Sequence, residues 1–87
     1  MTPSEALSAV IEAGKTGRFS MTVHAREEAA EANATRYDVQ NALVTARHAL
    51  HQPANDRWRV EGGIDLDGDE LVLVVVFEGD VVVITVF

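Results

Sequence analysis

Apolar residues recur along the chain first at helical and then at strand spacing. Leu7, Val10 and Ile11 share one helical face. They follow Thr2-Pro3-Ser4-Glu5, which places a hydroxyl at the N-cap, proline at the first helical position and a carboxylate three residues beyond the cap. This predicts a first helix running to about Ala13, with Gly14 free to take the left-handed C-terminal cap. Residues 18–23 then alternate with period two, which predicts a short strand with Phe19, Met21 and Val23 on one face. The Ala- and Glu-rich stretch from Ala25 to Ala32 predicts a second helix stopped at Asn33.

Thr35-Arg36-Tyr37-Asp38 repeats the capping logic with Asp in place of Glu. Val39, Leu43, Ala46 and Leu50 follow at i, i+4, i+7 and i+11, so the spacing predicts a third helix over 36–50 with that stripe buried. Beyond Pro53 the period changes. Residues 57–65, 70–78 and 81–87 read as three strands of an antiparallel meander, joined at Asp67-Gly68 and Gly79-Asp80. The expected fold is therefore α+β, a small antiparallel sheet with three helices in the order α-β-α-α-β-β-β. The last two strands do not alternate. Residues 71–77 are all apolar, and 81–87 is interrupted only by Thr85. Both faces of such strands need cover. Three short helices can supply only part of it, so a homodimer or a small protein partner on the apolar sheet is expected.

At 87 residues the chain is long enough for one core and too short for two. It has no cysteine, which removes disulfide scaffolds, thiolate metal sites and thiol nucleophiles together. Its longest apolar run is far too short for a bilayer, and no basic-then-apolar leader opens it, so a cytoplasmic location without membrane attachment is expected. The net charge of −7 is uneven: residues 1–50 carry 5 basic and 6 acidic side chains, and residues 51–87 carry 2 and 8. That balance opposes general binding of DNA or RNA and suits a basic partner better, although it also serves simply to keep a small domain dispersed.

Few residues suggest chemistry. His48 and His51, at i, i+3 near the end of the expected third helix, are compatible with two metal ligands but lack a third. Histidine in a last helical turn is already explained by the helix dipole, so no metal is expected. Asp65, Asp67, Asp69 and Glu70 resemble a calcium loop without its downstream glutamate, and read as a solvated turn. Arg57-Trp58-Arg59 sets two guanidinium groups on one face of a strand and an indole on the other. Such an element grips phosphate or stacks a base, or equally forms an edge strand guarded by charge with Trp58 in the core. No nucleophile turn and no phosphate-cradling glycine loop is present, so hydrolase, nucleotide and cofactor readings fail.

The ordered motifs His24-Ala25-Arg26, Thr35, Asp38-Val39, Trp58-Arg59-Val60-x-Gly62, Asp67-Gly68-x-x-Leu71 and Val83-Ile84-Thr85-Val86 resemble a family of small uncharacterised bacterial domains related to the RelE/ParE-type toxins. The resemblance covers residues 18–87 of a single domain (1–87) and leaves the N-terminal helix, residues 1–17, outside. It implies a RelE-like fold. It also implies two functional readings: a toxin-like domain acting through protein binding without a catalytic apparatus, or a metal-independent endoribonuclease toxin of a toxin-antitoxin system. In the second, His24 would be the general acid or base, with Arg26, Arg57 and Arg59 steadying phosphate. Two arginines of the family pattern H-A-x-x-R-M-x-x-R-G are replaced here by Glu28 and Ala32, and the glycine by Asn33. This favours the binding module.

Overall fold

Both predicted capping boxes start helices. In the computed structural model, which describes residues 1–87, Thr2 and Thr35 each accept from the backbone N–H three residues on, and Glu5 and Asp38 return the bond to the cap. The elements are α1 (Pro3–Thr16), β1 (Phe19–Met21), α2 (Val23–Glu31), α3 (Arg36–Thr45), β2 (His48–Gln52), β3 (Arg57–Glu61), β4 (Leu73–Glu78) and β5 (Asp80–Val86). The α+β class holds, with one more strand than the sequence pattern gives.

That strand corrects the third helix. It ends at Thr45, Ala46 turns to extended backbone, and residues 48–52 run antiparallel to β3. Val39, Leu43 and Ala46 are buried as expected, but Leu50 is 49% exposed. In a strand, His48 and His51 point to opposite faces and cannot ligate a common ion. β3 consequently lies inside the sheet and β2 forms the edge, so the charged-edge reading of Arg57 and Arg59 is also corrected, while Trp58 is buried at 4% exposure. The first helix continues past Ala13, and its left-handed cap is Gly17. Gly14 is instead packed against α3, where an added Cβ would come within 2.8 Å of the Val44 side chain.

The sheet is mixed, in the order β1-β5-β4-β3-β2, with β1 parallel to β5 and every other pair antiparallel. An all-antiparallel meander is thus replaced by one that recruits the first strand of the chain. Register sorts its side chains into two faces. One carries the cross-strand rows Phe19–Val81–Phe77, Met21–Val83–Val75–Trp58–His51 and Val86–Leu73–Val60–Ala49. All but His51 of these residues belong to, or pack on, one core together with Ala6, Val10 and Ala13 of α1, Ala25 and Ala29 of α2, and Val39, Ala42 and Leu43 of α3. The N-terminal helix therefore shares the core of the remainder.

Close backbone contacts fix the helices against the loops. Asp38 accepts from Leu66 N–H at 3.0 Å through one oxygen and from Thr35 N–H at 2.7 Å through the other, tying the α3 cap to the β3–β4 connection. These two bonds hold its carboxyl below the usual aspartate range, the Thr35 bond contributing most. Asn41 bonds the carbonyl of Ile64, and Thr45 accepts from its N–H, in the same region. No helix is long and apolar enough to cross a membrane.

Candidate functional site: the uncovered sheet face

The opposite face of the sheet has different cover. Its central row is Thr85–Val74–Arg59–Leu50, across four strands, and a second row joins Ser20, Val82 and Val76, with Arg57 and Gln52 paired beside it. Where Val74 meets β5 the register shifts, so that Ile84 is an extra residue on this strand. Val74 is buried, yet it is not part of the helix-side core, and neither are Val76, Val82, Ile84 or Leu50. Val74 is shielded by its own neighbours in the sheet, while Val76, Val82, Ile84 and Thr85 are half-exposed. No helix residue joins them. The expectation that both faces of the last two strands need cover is thus met on one side only.

Charge is arranged around this apolar strip. Arg59 bonds Glu61 at 2.7 Å, and its guanidinium lies 5.2 Å from the centre of the Phe87 ring. Arg57 is exposed and has no carboxylate partner. The acidic turn is elsewhere: Asp65 accepts from Asp67 N–H and Asp69 N–H, and Leu66 is tied to α3 on the helix side.

The four residues of the ribonuclease reading fall in three places. His24 is on α2 with its side chain 71% exposed, 3.5 Å from the Glu28 carboxylate. Arg26 follows two positions later, about 200° around the helix, where it lines a crevice with Met21, Ala29, Ala34 and Arg36 that contains none of the other three. Arg57 and Arg59 stand on the uncovered sheet face. Glu28, at a position where the resemblance expects arginine, accepts the backbone N–H of Val86 at 3.2 Å.

Two groupings carry no periodic signal in the sequence. His51, its ring tilted 40° to that of Trp58 with centroids 4.6 Å apart, bonds Asp56 at 2.8 Å beside a cavity of about 560 Å³ that Met1 and Glu78 also line. Arg36, whose position in a capping segment gave no hint of a tertiary role, reaches back to the carbonyls of Phe19 and Gly17.

Comparison with known proteins adds no relative. No family model, curated protein or solved structure matches the chain.

Proposed function

We propose that the chain is a toxin-like, RelE/ParE-type domain that acts by protein binding rather than catalysis, and that its uncovered sheet face is occupied by a second copy of the chain. The observation that carries this reading is the row Leu50–Arg59–Val74–Thr85 with Val76, Val82 and Ile84 beside it, an apolar strip with no helix over it. Size allows a weak, reversible contact. Strands of 3, 5, 5, 6 and 7 residues, at about 3.3 Å per residue and about 4.8 Å apart, present a face of about 410 Å², so two copies would bury about 820 Å², the low end of the range for transient interfaces. Charge permits it as well. The acids of residues 65–70 are held on the helix side, so the net charge of −7 is not concentrated where the copies would meet.

Light scattering at micromolar concentration tests the reading. A dimer that becomes a folded monomer on Val76→Glu supports it. A wild-type monomer at all concentrations, or His24-dependent cleavage of RNA by the unmodified protein, overturns it, the latter in favour of the ribonuclease.

A further inference from the structure

The crevice between α2 and α3 is distinct from the sheet face and does not depend on how that face is used. It holds about 330 Å³ and is lined by Met21, Ala29, Ala34, Arg26 and Arg36. Its floor is apolar: Met21 and Ala29 are core residues, and Ala34 packs on that core. Its polar groups are two guanidinium groups.

Neither of these two arginines forms an ion pair, although the chain carries 14 carboxylates against 7 cations. Arg36 is held in place. Its Nη2 donates to Phe19 O at 3.0 Å and Gly17 O at 3.4 Å, and the guanidinium carbon sits 4.0 Å over the Phe19 ring. These contacts use one nitrogen and one face of the group, and leave the Nε and Nη1 donors without protein acceptors. A guanidinium ordered before its ligand arrives has already lost the freedom that binding would otherwise remove. Arg26, three residues from Ala29, lines the same opening, and its side chain makes no hydrogen bond. The nearest acid of α3 in sequence, Asp38, is committed to Thr35 and Leu66.

We propose that this crevice binds a small aliphatic carboxylate, with the carboxylate between Arg26 and Arg36 and the hydrocarbon on Met21, Ala29 and Ala34. Planar guanidinium donors match a carboxylate in paired fashion, and the floor rewards a short branched chain. None of the lining side chains can accept from an ammonium group, so a zwitterionic amino acid of the same skeleton is disfavoured. A bare inorganic anion gains nothing from the floor.

Titration of the full chain with isovalerate, followed by backbone amide NMR, tests this. Saturable shifts confined to residues 19–36 are expected, with a dissociation constant of about 1 mM, typical of so small a ligand. Valine and inorganic phosphate should each bind at least about tenfold more weakly. Arg26→Gln should weaken isovalerate by about tenfold or more with the melting temperature unchanged, because the Arg26 guanidinium makes no hydrogen bond or ion pair within the protein. Absence of saturable shifts, equal binding of valine or phosphate, or an Arg26→Gln variant that binds as the wild type would each overturn the assignment.

Discussion

Glu28 on α2 accepts the backbone N–H of Val86 on β5 at 3.2 Å. β1 pairs with β5 from Phe19↔Val81 no further than Met21↔Val83, and the chain then turns into α2, so β5 continues beyond the reach of its parallel partner. The carboxylate supplies the acceptor that a longer β1 would have supplied. An anion at this position is therefore structural, whatever else the surface around it does.

Glu28→Arg should accordingly lower stability by about 1 to 3 kcal/mol, the cost of a half-buried N–H left without an acceptor, and should not create RNA cleavage. Glu28→Gln keeps an acceptor oxygen and should retain most of the stability. His24→Ala, which removes only an exposed side chain, should change stability by less than about 0.5 kcal/mol. Chemical denaturation of the three variants, with an RNA cleavage assay alongside, provides the comparison.

Asp38 should make stability fall in acid. Its carboxyl titrates lower in the folded chain than when unfolded, because it accepts first from Thr35 and then from Leu66. Such a group stabilises the fold above its unfolded value of about 3.9 and loses that contribution as pH drops through the lower folded value. Melting temperatures of wild type and Asp38→Asn should therefore differ most near neutrality and draw together as the pH falls below the unfolded value of about 3.9. Curves that stay parallel on acidification through that range would contradict the assignment.

Leu43 is fully buried in the core shared by the helices and the sheet. Leu43→Ala should cost about 2 to 5 kcal/mol, a large fraction of the stability of so small a domain, and be read directly as a lowered thermal midpoint.

Two glycines should respond differently to alanine. At Gly63 an added Cβ would overlap the carbonyl oxygen of Ala42, so the β3–β4 connection could no longer lie against α3. Gly79 sits at φ +78° on an open hairpin tip with nothing nearby. Gly63→Ala should cost more than about 3 kcal/mol and Gly79→Ala about 1 kcal/mol, by urea denaturation.

Local chemistry was the legible part of the sequence. Thr2 with Glu5 and Thr35 with Asp38 declare helix starts within four residues, and Gly79 declares a hairpin within two. The end of α3 was not legible, because Ala46 and Leu50 continue the helical spacing while Ala49 and His51 fit a strand period just as well, and no glycine or proline stands between Thr45 and His48 to mark the change. Pairing with β3 decides the matter, and that is a tertiary contact. The same limit applies to Arg26 and Arg36, which are brought to one crevice only by the packing of α2 beside α3, and to Glu28, whose partner is 58 residues away.

The parallel contact of residues 19–21 with 81–83 also orders events in time. The hairpins from β2 to β5 join neighbouring segments and can assemble as soon as each is made. β1 cannot: it must wait for the final strand, and closing that span costs on the order of 3 to 4 kcal/mol of chain entropy before any contact repays it. During synthesis β1 therefore stays unpaired until β5 has been made, whereas α1 can already pack on α3 and β2. A polypeptide released before Val81 would keep β2, β3 and β4 but have no place to seat Phe19 and Met21.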